Sequence, residues 1–185
     1  MTGWRRWSAG ADVVVATPQR PAARIRPAGT DEAHVIADIH LASRKALGPA
    51  IPAPVHSDAE TRQHFADHVV ATHTVWVVED PTAGIVAFIA VIDGWIAHLY
   101  VDPGSTGRGH GTVLLDLAKA MADQLDLWTF QANEGAWRFY ARHGFVEVDR
   151  SDGDNEEGAP DVHLRWTRYP GRQLPRRGAR GTTHA

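Results

Sequence analysis

Apolar and polar positions change period several times along this chain, and the changes mark out its elements. Ala23 to Arg26 reads as a short strand. Thr30, followed by Asp31 and Glu32, opens a helix with Val35, Ile36, Ile39 and Leu41 spaced for an inner face, ended by Gly48-Pro49. Pro52 and Pro54 keep the next stretch out of helix, and Ser57 with Glu60 three residues on forms a capping box for a second helix through about Val70. Three strand-like runs follow with no helix between them, Thr74 to Glu79, Ile85 to Ile92 and Trp95 to Val101, the last two joined by the hairpin signal Asp93-Gly94. Val113, Leu114, Leu117 and Met121 then recur at helical spacing. Leu125 to Gln131 reads as a strand, and Asn133 caps a short helix that Gly144 closes. Phe145 to Val148 and Val162 to Trp166 are two more strands. The order β-α-α-β-β-β-α-β-α-β-β predicts an α/β domain (an α+β arrangement with a mixed sheet), because antiparallel strands precede one β-α-β unit.

The flanking segments lack this periodicity. Residues 1–21 read as an N-terminal extension, too short in apolar length for a signal peptide core, and 170–185 as an Arg-rich C-terminal tail, which leaves 22–169 as the domain. The 185 residues contain no cysteine, so thiol nucleophiles, redox pairs and zinc-thiolate sites are excluded. No stretch approaches the roughly 20 apolar residues of a membrane span, and the chain reads as cytoplasmic with no membrane partner. Nineteen basic and 22 acidic residues argue against a nucleic-acid partner, although four of the 17 arginines crowd the last 14 positions.

Thr106-Gly107-Arg108-Gly109-His110-Gly111-Thr112 lies between a predicted strand and a predicted helix, where glycines let successive N–H groups converge on an anion at a helix start. Taken alone, the segment fits a steric turn and a phosphate loop about equally. It matches neither the dinucleotide fingerprint, which needs Gly at Thr112, nor the Walker pattern, which needs Gly-Lys before Ser or Thr. Together with Leu99-Tyr100-Val101-Asp102-Pro103 before it, and with Asn133, Ala136, Phe139-Tyr140 and Gly144-Phe145 after it, the segment resembles the two acetyl-CoA motifs of the GNAT acetyltransferase superfamily. The resemblance covers roughly 23–168 and is strongest over 95–148.

The resemblance implies a single-domain GNAT-like fold and an N-acetyltransferase that moves an acetyl group from acetyl-CoA to a primary amine by direct attack, with no metal. It implies that Leu99, Tyr100 and Val101 offer unpaired backbone to the pantetheine arm, and that Thr106, Gly107, Arg108, Gly109, His110, Gly111 and Thr112 receive the pyrophosphate. Asn133 and Ala136 would contact the cofactor arm, and Tyr140 would protonate the departing thiolate. A thiol of pKa near 8.5 leaves more readily when a tyrosine hydroxyl is within reach; without the motif, Tyr140 reads as a packed amphipathic ring.

Two departures from the family pattern bear on chemistry. Thr106 stands where relatives have Arg or Gln, with Arg108 as a compensating neighbour, and the usual base positions are Trp95 and Ala97, neither of which accepts a proton. Neutralising a lysine at pH 7 costs about 4.6 kcal/mol against about 1 kcal/mol for an α-amine, so a site without a strong base suits a small-molecule or α-amine acceptor. His98 and Asp93 are the remaining base candidates, although His98 has the opposite strand parity to the usual positions.

His64 and His68 are spaced for a metal but lack an accompanying motif, and read as a solvated helix face. His56 falls where relatives wall the acceptor pocket, and the acidic run Asp152, Asp154, Glu156, Glu157, Asp161 reads as a hairpin loop on the acceptor side that could draw in a cationic amine. The missing base positions also fit a catalytically impaired acyl-CoA-binding module, and the Arg tail fits an RNA anchor. A homodimer is compatible with all of these readings.

Overall fold

The computed structural model describes residues 22–169. The expected N-terminal extension (1–21) and Arg-rich tail (170–185) lie outside the described residues. Seven strands form one sheet: β1 (Arg24–Pro27), β2 (Thr74–Asp80), β3 (Gly84–Ile92), β4 (Trp95–Val101), β5 (Gln124–Phe130), β6 (Val146–Ser151) and β7 (Asp161–Thr167). Their order is β1-β2-β3-β4-β5-β7-β6. Every neighbouring pair is antiparallel except β4 and β5, which run parallel and are joined by a helical crossover.

The helices are α1 (Ala33–Leu47), α2 (Asp58–His64), α3 (Val70–Thr72), α4 (His110–Met121) and α5 (Glu134–Arg142). Between α2 and α3 the predicted second helix widens into a π turn, Phe65–Val69. Ser57 caps α2 as the sequence predicts, accepting from the Glu60 amide while Glu60 returns a carboxylate bond to the Ser57 N–H at 2.8 Å.

Alternation along the strands divides the core into two halves, one on each face of the sheet. On one face Ile36, Ile39, Phe65 and Val69 from the first helices bury Val77 and Phe88. On the other, Leu114 and Leu115 of α4 and Tyr140 of α5 bury Ile89, Ile96, Leu125 and Leu127. The β3–β4 hairpin turns on Asp93 (φ 50°) and Gly94 (φ 84°), two consecutive positive φ values that the Asp-Gly pair supplies.

One irregularity corrects the parity argument against His98. Ala90 opposes His98 while Val91 opposes Ile96, so Ala97 is an extra residue, a β-bulge in β4. The bulge leaves Ile96 and Leu99 both packed on the α4 face, and turns Trp95, His98 and Tyr100 toward rings on the opposite face. His98 therefore shares a face with Trp95.

Candidate active site

β4 and β5 register at one pair only, Trp95 with Asp126, and beyond it the two parallel strands diverge. The opening widens toward Val101, so Leu99, Tyr100 and Val101 pair with β3 on one side and have no registered partner in β5 on the other. The splay is wedged from both faces of the sheet. Ser43 of α1 donates its hydroxyl to the Val101 carbonyl at 2.8 Å, and the first turn of α4 approaches α5 closely, since a Cβ on Gly111 would lie 3.5 Å from the Phe139 ring and 3.7 Å from Val101.

At the wide end the chain turns into α4. Asp102 accepts from the Gly104 amide at 2.9 Å, and Gly107 (φ 74°) and Gly109 (φ 84°) take the left-handed conformation, with nothing within 4 Å of where a Cβ would stand. An L-residue there costs about 1–2 kcal/mol. His110 begins the helix with its Nε2 buried and unpartnered, while Gly111 and Thr112 complete the first turn. Thr106 donates its hydroxyl to the Pro103 carbonyl at 3.1 Å and Arg108 donates to the Gly104 carbonyl at 3.3 Å, so both side chains fold back on the turn. A glycine turn open to one side, an unpartnered imidazole nitrogen and a helix start together fit a polyanionic group.

α5 supplies the other wall. The Asn133 carboxamide oxygen caps it, accepting from the Ala136 amide at 3.1 Å, which leaves Nδ2 as its donor. Tyr140 is buried between Phe139 and Phe145, with ring centroids 5.2 Å from each. Burial, with Tyr100 adding to it, pushes the Tyr140 pKa above its ordinary value, so the hydroxyl keeps its proton. Burial raises the Tyr100 pKa as well, and the Arg44 guanidinium beside its hydroxyl opposes the rise.

Arg44 joins the splay to a cavity of about 270 Å³ on the α1 face. It donates to the Pro52 carbonyl at 3.3 Å and to Glu157 at 3.2 Å, and lies 5.9 Å over the Phe130 ring. His40, His64, Phe65 and His98 form the inner wall of the cavity, and His56, Glu60, Glu156 and Glu157 lie around it. Burial, then His40 and His73, pushes the His98 pKa well below its usual value. Burial, with Arg44 and His64 adding, brings His40 down to about 3. Both rings are neutral at pH 7, and the burial that keeps them so makes each a weaker proton acceptor than a free imidazole.

The structure thus brings His98, His56, Glu156 and Glu157 to one cavity, and Leu99 to Val101, the glycine turn and Tyr140 to the adjoining splay. Asp93 lies instead beside a second cavity of about 220 Å³ under the C-terminal half of α4, lined also by Trp76, Leu117 and Met121. Trp95, at a usual base position, is occupied otherwise: its ring stacks on His163 at 5.0 Å, and Trp128 also stacks on His163, at 5.1 Å. Asp126 accepts from His163 Nε2 at 2.6 Å and from Arg165 at 2.7 Å. His64 and His68 stack at 5.2 Å, and among the described residues no group of three or more His, Asp or Glu side chains is arranged to hold a metal ion. Likewise no helix among the described residues is long and apolar enough to cross a membrane.

Sequence reasoning missed His40, Arg44 and Phe65. The signal for the first was present, since His40 and Ser43 interrupt an apolar stripe that continues from Ile36 at helical spacing, and both are buried.

The model of the acetyltransferase (GNAT) domain family matches residues 71–147. The peptidyl-lysine N-acetyltransferase YjaB of Escherichia coli is 32% identical over 44% of this chain and 55% of its own. An uncharacterized N-acetyltransferase of Methanocaldococcus jannaschii is 34% identical over 35% of each chain. The chain thus spans about a third to about half the length of these curated relatives. The solution structure of apo YjaB superposes with a TM-score of 0.62 at 26% identity, covering 78% of this chain and 97% of that one. The N-acetyltransferase PaiA of Thermoplasma acidophilum, solved with coenzyme A, shares the fold with a TM-score of 0.65 at 16% identity, over 80% of this chain and 99% of that one.

Proposed function

We propose that this chain, which is similar to GNAT N-acetyltransferases over residues 71–147 and in fold, transfers the acetyl group of acetyl-CoA to the primary amine of a small molecule by direct attack. The observation that carries this reading is the β4–β5 splay with the glycine turn at its wide end. Backbone at Leu99, and the Val101 N–H, with no partner in β5 suits the amides of the pantetheine arm, and the Gly107 to Thr112 turn suits the pyrophosphate. Asn133 Nδ2 is the donor available to the arm on the α5 side. The coenzyme A in the PaiA structure supports the same use of the fold.

The amine nitrogen attacks the acetyl carbonyl carbon, the carbon–sulfur bond breaks, and the sulfur leaves as a thiolate. His98 takes the proton released by the attacking nitrogen, directly or through one water, and Tyr140 gives its proton to the sulfur. Tyr140 carries its proton and His98 is neutral at pH 7, so each is in the form its task needs, while burial makes the one a weaker acid and the other a weaker base than the free side chain. The tyrosinate then recovers a proton from solvent, the His98 imidazolium releases its own to solvent, and the acetylated amine and coenzyme A leave. Buried side chains lining the splay and cavity exclude water that would hydrolyse the thioester.

Thiol release and acetylated product are measured together, with a panel of amines and a lysine peptide, the latter chosen because of the name YjaB carries. Equal amounts of both products are expected, with Tyr140→Phe lowering kcat by about 100-fold at unchanged acetyl-CoA affinity. Binding of acetyl-CoA without turnover across the panel would instead identify a catalytically impaired acyl-CoA-binding module.

A further inference from the structure

The cavity on the α1 face is small and walled by rings. Its volume of about 270 Å³ lies just under the roughly 300–1,000 Å³ of drug-sized sites, a size for one amino-acid-like molecule. The His40 and Phe65 centroids are 5.0 Å apart, Phe65 and His98 also 5.0 Å, and His40 and His98 5.5 Å. Those separations fall in the range where aromatic rings attract one another beyond simple burial, so a further planar ring extends the cluster where a saturated group gains burial alone. The π turn beginning at Phe65 follows directly on His64, and both residues line the cavity.

The carboxylates around this cavity are already engaged. Glu60 accepts from the Ser57 amide and hydroxyl, Glu156 bonds His56 Nε2 at 3.0 Å, and Glu157 bonds Arg44 at 3.2 Å with both side chains largely buried. A polyamine or aminoglycoside needs further anionic sites for its additional ammonium groups, and here Glu156 and Glu157 would have to share their charge with the His56 and Arg44 side chains already bound to them. The acidic loop is thereby tied to α1 through Arg44 and to the 52–57 segment through His56.

Resting on the acetyl-transfer reading of this site, we infer that the acceptor is a compact monoamine carried next to a planar ring, of the chemistry of an aromatic amino acid derivative. Its ring packs against His40, His64 and Phe65, and its nitrogen faces His98. An α-amine of pKa about 7.7–8.0 is partly neutral at pH 7, which matches a base as weak as the buried His98.

The full chain is assayed at saturating acetyl-CoA with phenylalanine amide, cyclohexylalanine amide, Nα-acetyl-lysine amide and spermidine. Phenylalanine amide is expected to exceed cyclohexylalanine amide in kcat/KM by about 2- to 10-fold, the ratio that ring–ring contact supplies. It is expected to exceed the two high-pKa amines by about 100-fold or more, because roughly 2.5 pKa units separate them. Phe65→Leu should bring the first ratio close to one at unchanged acetyl-CoA affinity. His64→Ala, at a partly exposed position, should lower the same ratio even if the Phe65 variant fails to fold. Equal use of the cyclohexyl compound, or turnover of spermidine or the lysine derivative as fast as phenylalanine amide, would overturn the inference and leave acetyl transfer standing. Acetyl-CoA binding with no thiol release from any of the four would overturn acetyl transfer and this inference with it.

Discussion

The two halves of the candidate site are built from different materials. The cofactor half is largely backbone: a strand edge at Leu99 to Val101 with no registered partner in β5, and a turn that needs Gly107 and Gly109 at positive φ. The acceptor half is side chain: His40, Phe65 and His98 in ring contact, roofed by Glu156 and Glu157. Backbone recognition is conferred by a few conformationally special residues close together in sequence. A ring-lined cavity is assembled from residues more than a hundred positions apart, and its character follows from burial. Arg44 is the joint between the halves, touching Glu157 on one side and the Tyr100 hydroxyl on the other.

If the halves are separable, a change in one should leave the other unmoved. Gly109→Val forces a β-branched residue into a left-handed conformation, which costs about 1–2 kcal/mol and should raise the acetyl-CoA Kd about 10-fold. Calorimetric titration measures this, and the ranking among acceptors should stay as it was. Glu157→Gln loosens the roof and leaves Arg44 without its carboxylate. The acceptor KM should rise by up to about 10-fold, with acetyl-CoA affinity changed less than 2-fold. An equal loss on both substrates would show instead that Arg44 transmits strain into the splay.

A smaller effect separates the halves by pH. His40 and His98 have pKa values lowered by folding, so the unfolded chain takes up protons below about pH 6.5 that the folded chain refuses. Their favourable contribution is complete above that pH and is lost as pH falls, flattening for His40 only near its folded value of about 3. Each histidine steepens the loss by at most about 1.4 kcal/mol per pH unit. Denaturant unfolding between pH 7 and 4 should show this slope, and His40→Phe should reduce it by up to one proton.

The same division explains what could be read from the chain. The strand and helix order, the Ser57–Glu60 cap, the Asp93-Gly94 hairpin and the glycine turn are local signals, and each stands where the spacing predicts. The bulge at Ala97 left no local mark, and it invalidated the parity that set His98 apart from Trp95. The pairing of Glu157 with Arg44 and of Glu156 with His56 depends on the β6–β7 loop reaching α1 and the 52–57 segment, a contact no periodicity encodes. The acidic run was visible in the sequence, but its engagement with a guanidinium and an imidazole was not. Trp95 illustrates the reverse case: an evident absence of a base in the sequence, explained by a ring stack with His163 and Trp128 drawn from two other strands.

The most direct test of the account is an amide-resolved NMR titration of the protein with acetyl-CoA. Saturable shifts are expected to be largest at the backbone amides of Leu99, Val101 and Gly107 to Thr112, with the cavity around Trp76, Leu117 and Met121 undisturbed. Saturable shifts centred on that second cavity, or binding that leaves the Leu99 to Val101 edge and the glycine turn unmoved, would contradict it.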